Sequence, residues 1–281
     1  MTTSRPPTSS CAIDDGNHPR AATITQFAYS LVVLYDWTSN ELAAYNITVV
    51  FQDAATFFET PDLPQPAVNP NVLTTLEYRN APDDDTYRLL RNLDLATTPV
   101  PAEESAVDDF AVLLLRALGY EPRGRTLRTR KDLILLVCGE NRHSKADVCL
   151  IDEEEILLLV QEDRQYMAPE DPKAQLIAGA IAAFATTNRT RVYTLGLPPL
   201  PSKDIAGITM TGTSPVFYKI NISAELVIAV GGGAYSDKQT AVYAHLPCVP
   251  RPLRRSSEGM KPLDNRRVIL SYYEAFRRFV N

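Results

Sequence analysis

A single domain of α/β (α+β) class, built round one sheet, is predicted by three observations. Helical spacing runs through residues 103–118 and returns at 174–184. Three short apolar runs separated by polar residues lie between these helices, and further apolar runs follow the second one. An order of helix, three strands, helix, strand requires a sheet covered by helices. The 281 residues, 45% of them hydrophobic, supply ample material for its core.

Taken in order, residues 1–20 read as a disordered tail, and the apolar run at 21–36 as a buried element. Thr38, Ser39, Asn40 and Glu41 fit a capping box, opening a short helix over 42–45 that runs into a strand at 47–51. Pro61, Pro64, Pro66 and Pro70 then impose extended backbone, while Phe57, Phe58 and Leu63 indicate that this connector packs on the body. Val107, Phe110, Ala111, Leu114, Leu115 and Leu118 mark the helix at 103–118, with Gly119 as its C-cap signal. Strands are expected at 127–138, 146–151 and 156–161, joined by polar turns ENRHSK and DEEE into an antiparallel meander. Asp171 and Pro172 open the helix at 174–184. Strands follow at 191–195, 205–210 and 216–222, and an amphipathic helix at 266–280 closes the chain. This gives one domain over 21–281, with an N-terminal elaboration at 21–100, a core at 103–195 and C-terminal strands and helix at 196–281.

Composition narrows the function. With 28 basic and 34 acidic residues the net charge is -6, which excludes a generally basic coat but leaves room for a local basic cleft. Mean hydropathy is -0.14, and no run approaches a membrane span. The polar N-terminus has no stretch of signal-peptide kind, so an intracellular protein is expected, with the sequons at Asn46, Asn188 and Asn221 as chance matches. Cys11, Cys138, Cys149 and Cys248 lack CxxC spacing, and His18, His143 and His245 are scattered, so neither a disulfide framework nor a zinc site is expected. Cys138 and Cys149 read as buried thiols. No GxxxxGK, GxGxxG or GxSxG is present, which disfavours a phosphate loop and a triad hydrolase.

The chemistry concentrates at residues 145–175. One apolar strand begins with Asp147, and the next ends Val160-Gln161-Glu162-Asp163-Arg164. Period-two alternation puts Leu158, Val160, Glu162 and Arg164 on one face. Carboxylates on adjacent strands suit a hard divalent cation, and a cation beside them suits a phosphate. The plain alternatives are a turn residue at Asp147 and an exposed ion pair between Glu162 and Arg164. Upstream, Arg123, Arg125, Arg128, Arg130 and Lys131 form a basic run: either a phosphate contact, with Arg128 and Arg130 sharing a face, or a charged edge that discourages aggregation.

Asp147 followed by Glu162-Asp163-Arg164 resembles the D…ExK signature of the PD-(D/E)XK nuclease superfamily. The element order resembles that superfamily's restriction-endonuclease-like αβββαβ core, a mixed central sheet flanked by helices. VQEDR and AQLIAGAIAAF, with the segments at 37–47 and 207–220, are similar to a group of uncharacterised fungal proteins. The resemblance implies a Mg²⁺-dependent (or Mn²⁺-dependent) nuclease acting on nucleic-acid phosphodiesters. Asp147, Glu162 and the carbonyl of Asp163 would hold the metal. Arg164, standing where the motif has lysine, would position nucleophile or phosphate, Gln175 would support the site, and one of Glu103, Glu104 and Asp108, with Glu104 the candidate taken forward, would add an acid. Arginine cannot relay a proton as a tuned lysine can, so the alternative is a catalytically inactive nuclease-fold module that binds nucleic acid or protein. Arg128, Arg130 and Lys131 are the candidate nucleic-acid contacts. The sequence leaves the oligomeric state open.

Overall fold

A computed structural model describes residues 37–98, 105–153, 155–163 and 171–280. Compactness divides the chain at Ser30, and every described residue belongs to the unit Leu31–Asn281. The proposed tail, the apolar run at 21–36, Cys11, His18, Glu104 and Arg164 lie outside the described residues.

In chain order the elements are α1 (Ser39–Ala44), β1 (Ile47–Phe51), α2 (Ala54–Phe58), α3 (Pro70–Thr74), α4 (Asp84–Thr97) and α5 (Ala106–Ala117). There follow β2 (Arg125–Val137), β3 (Glu140–Asp152), β4 (Glu155–Glu162), α6 (Pro172–Tyr193), β5 (Ser202–Thr211) and β6 (Ser214–Ser223). The chain ends with α7 (Ala224–Gly232), β7 (Thr240–His245), α8 (Arg255–Glu258) and α9 (Leu263–Phe276). The strands make one mixed sheet, ordered β1-β7-β6-β5-β4-β3-β2. Pairs β1–β7 and β4–β5 are parallel; the others are antiparallel.

Each face of the sheet carries its own core. On one, α4, α5 and α9 bury Leu89, Phe110, Leu114 and Phe276 with Val148, Leu158, Val160 and Ile208. On the other, α6 lays Ile177, Ala178 and Ile181 over Cys149, Leu159, Ile205 and Ile220, flanked by α1 and α7. Close helix–sheet approach is secured at Gly207, where a Cβ would stand 2.9 Å from Leu176 Cδ2.

The N-terminal elaboration is part of this body. Phe57, Phe58 and Val72 sit in the α5-side core, with Leu63 packed against it, and β1 is an edge strand of the sheet. The capping box forms, Glu41 Oε2 accepting from Thr38 N–H at 2.6 Å. Gly119 ends α5 with φ 72°, as a C-cap should.

Three expectations need correction. Residues 140–145 are not a turn: the β2–β3 turn is Cys138-Gly139, with φ 51° and 81°, and the polar run is the first half of β3. Its polarity follows from its position, because most of its side chains reach solvent or one another across the strands, as in His143 Nδ1 to Asp132 Oδ2 at 2.8 Å. Cys138 is accordingly exposed, while Cys149 is buried. Residues 191–195 are not a strand: α6 continues to Tyr193 and the next strand starts at Ser202. The β-branched residues there yield to tertiary ties, with Arg191 Nη1 meeting Glu155 Oε1 at 3.3 Å and Asn188 bonding both N–H and carbonyl of Leu200. Helix α4, within the N-terminal elaboration, has no counterpart among the elements expected from the sequence; it is capped by Asp83 accepting from Thr86 N–H at 2.8 Å.

Candidate functional site

The site sits where the sheet forks. Strands β3 and β4 pair only as far as Val148 opposite Val160. Beyond that point β3 continues with β2 to Glu140 opposite Val137, while β4 stays with β5 to Glu162 opposite Met210. A fork leaves ladder groups of the inner edge without partners, which is costly when they are buried. Asp147 fills this gap. Its Oδ2 accepts from the Glu162 N–H at 2.8 Å and from Gln161 Nε2 at 2.7 Å. The carboxylate is 4% exposed.

Alternation divides the ExK segment between the two faces. Leu158 and Val160 lie in the α5-side core, and Glu162 continues their side. Leu159 lies under α6, and Gln161 and Asp163 continue that side. Asp147 therefore shares its face with Gln161 and meets Glu162 through the main chain. Asp163 Oδ2 accepts from Thr211 Oγ1 at 2.8 Å, and its N–H donates to Met210 O at 2.8 Å. One level lower, Gln161 is opposite Thr209, whose hydroxyl stands 3.4 Å from the Tyr218 hydroxyl. Burial and the nearby Asp171 and Asp163 carboxylates raise the Tyr218 phenol above its ordinary value.

Gln175 is buried in the first turns of α6, its N–H donating to Asp171 O at 3.1 Å. Neighbouring Leu176 rests on Gly207, which is opposite Leu159, so this helix start lies over the middle of β4 and β5. Asp171 caps it, accepting from Ala174 N–H at 3.3 Å, from Ser39 Oγ at 2.7 Å, and pairing with Lys173 at 3.3 Å. Asp147, through Gln161, and Asp163 thus lie on the sheet face that α6 covers, and Gln175 lies in the first turns of that helix. The sequence-level reading missed Gln161, Thr209, Thr211 and Tyr218. A signal existed: a glutamine at the end of five buried apolar residues must have a partner.

The basic run lies on edge strand β2. Thr129 opposite Val148 and Lys131 opposite Ala146 leave Arg130 facing Asp147. Arg130 has φ 51°, an uncommon conformation for a side-chain-bearing residue. The pleat reverses there: Leu127 belongs to the α5-side core, but Leu133 and Leu135, an even number of residues later, belong to the α6 side. The expected sharing of one face by Arg128 and Arg130 does not carry through this reversal. Instead Arg128, opposite Cys149, and Lys131, opposite Ala146, both lie on the α6 side, where they moderate a Cys149 thiol that burial pushes up to about 11.

Among the described residues, no three His, Cys, Asp or Glu side chains form a metal-ligating group. Asp147 Oδ2 and Asp163 Oδ2 each accept from protein donors. No helix among the described residues is long and apolar enough to cross a membrane. Neither protein-family models nor curated proteins match the chain.

Proposed function

We propose that this chain is a nuclease-like-fold protein of the cell interior that binds nucleic acid along β2, presenting a phosphodiester to the fork at Asp147. The fold reading rests on the order α5-β2-β3-β4-α6-β5, which resembles the αβββαβ core of the PD-(D/E)XK superfamily. The observation that carries the binding reading is a cluster of unneutralised cations. Arg88, Arg91, Arg116, Arg125, Arg142, Arg191, Lys203, Lys219, Lys261, Arg277 and Arg278 all hold carboxylate partners. Arg128, Arg130 and Lys131, with Lys145 opposite Asp132 on β3, form no ion pair among the described residues; Arg79, Arg123, Arg189, Lys238, Arg255, Arg266 and Arg267 also form none, but only the β2 ribbon gathers four such cations at adjoining positions of one strand pair. In a chain of net charge -6, four such cations on one ribbon are a local site for a polyanion.

Binding rather than cleavage is the first reading because Asp147 is engaged in closing the fork. A second reading, hydrolysis with Mg²⁺ or Mn²⁺ at Asp147, Glu162 and Asp163, is favoured by one observation, the burial of a carboxylate beside the strained Arg130. The test of the first is fluorescence anisotropy with labelled oligonucleotides across a salt series. Binding should weaken steeply with salt, and Arg128→Gln with Lys131→Gln should lower the slope of log K against log salt by ~1.8 on duplex. Salt-independent binding, or none at 50 mM salt, would refute it. Calorimetric titration of wild type and Glu162→Gln with each metal addresses the second.

A further inference from the structure

We infer that Arg255, on the far side of the carboxylates from β2, is a second phosphate contact, so that the bound strand crosses the sheet end from β2 to β6. This rests on the nucleic-acid reading above. Arg255 opens α8 and is fixed at both ends of the residue. Its carbonyl accepts from Ser214 Oγ at 2.6 Å, and its Nη2 donates to Pro215 O. Pro215 is opposite Met210, and Met210 is opposite Glu162. The guanidinium is therefore anchored level with the end of the ExK segment, two strands further along the sheet. Strands spaced at ~4.8 Å put about 19 Å between β2 and β6, with the carboxylates Asp147 and Asp163 in between.

Its charge state singles it out from its neighbours. Arg254 pairs with Glu258 at 3.0 Å, and Arg251 pairs with Asp264 at 3.3 Å. Arg255, next after these neutralised arginines, forms no ion pair among the described residues. It is half-buried, and loss of hydration draws it down to about 10, still a cation at neutral pH. The nearby Tyr218 phenol feels both this cation and the carboxylates of Asp163 and Asp171. Those carboxylates are held elsewhere, Asp163 by Thr211 and Asp171 by Ser39 and Lys173. A planar fork kept charged, positioned by one carbonyl and given no internal counter-ion has spare donors for a phosphate oxygen pair.

Anisotropy with a single-stranded and a duplex oligonucleotide, over 50–300 mM KCl, tests this on the full chain. Arg255→Gln should lower the salt slope by ~0.9 on duplex or ~0.7 on single strand. The loss should add to that of Arg128→Gln with Lys131→Gln. Arg255→Lys should keep the slope while weakening binding, because charge remains and the fork is lost. A merely structural role would change the melting temperature and leave the slope unmoved. An unchanged Arg255→Gln slope, with the β2 variants still effective, overturns this inference and leaves the binding reading standing. Absence of wild-type binding at 50 mM KCl overturns both.

Discussion

Arg130 holds a left-handed backbone that costs an L-residue about 1 kcal/mol, and it does so opposite Asp147. Strain of this kind persists where neighbours over-determine it, and here the pairs on either side of it along the strand, Thr129 opposite Val148 and Lys131 opposite Ala146, do so. Glycine removes the steric cost and the cation together. Arg130→Gly is expected to gain about 0.5–1 kcal/mol in urea unfolding while weakening oligonucleotide binding. Loss of stability without loss of binding would show that the conformation serves only the hairpin. His245 makes the opposite case, a residue adapted to staying neutral. Its Nδ1 bonds Gln52 O at 2.9 Å, and its buried Nε2 has no hydrogen-bond partner among the rings of Phe57, Phe58 and Tyr272. Burial lowers its pKa; the carbonyl bond and Asp53 oppose that, and Arg255 adds to it. Above about pH 6.5 the ring is neutral folded and unfolded, so this residue adds no pH dependence there. As pH falls below that value the unfolded chain takes the proton first, and stability drops until the lowered folded pKa is reached. The urea midpoint should therefore decline from pH 7.5 to 5.5 in wild type and less so in His245→Asn. Equal slopes would remove His245 from the account.

At the scale of elements, the sequence was most legible where one face is buried. The period-three-and-four residues of α5 and the unbroken apolar run of β4 specify their own partners, and both form near their expected bounds. The failures share a cause, which is that local pattern describes only one side of a strand pair. ENRHSK looks like a turn because its polar residues are consecutive, yet Ser144 and Ala146 are buried beneath α6 and hold the strand in place. The true turn needed only Cys138 and Gly139 at positive φ, and Cys138 is an unusual residue there. In α4, Leu89, Leu90 and Leu93 carry a clear stripe after the Asp83 cap, but the prolines before it dominate the reading. Asp147 was legible as a carboxylate at an apolar strand. That it bonds the main chain of Glu162 was not, because the fork is a property of four strands, β2 to β5, and no single one encodes it.

The whole molecule decides whether residues before the α5–β5 core are optional. Strand β1 pairs in parallel with β7, from Ile47 opposite Thr240 to Phe51 opposite Ala244, so the sheet's far edge is built from distant ends of the chain. The α5-side core is shared in the same way, since Phe57, Phe58, Leu89, Leu90 and Leu93 belong to it. A charge makes the dependence sharper. Arg266 is 0% exposed and has no carboxylate partner among the described residues; its guanidinium donates to the carbonyls of Met260, Lys261, Val72 and Thr75. Two of these four acceptors come from α3 and the residue that caps it. Removing residues 1–100 would leave a buried cation with half its acceptors and open the core over α5 and α9, and either defect alone costs several kcal/mol. Since a domain of this size has only about 5–15 kcal/mol to lose, the fragment 101–281 is expected to keep far-ultraviolet dichroism, lose near-ultraviolet dichroism, bind anilinonaphthalene sulfonate and unfold without cooperativity. A sharp urea transition in that fragment would instead make residues 37–98 a detachable layer, and the basic ribbon of β2 could then be assayed for nucleic-acid binding on the core alone.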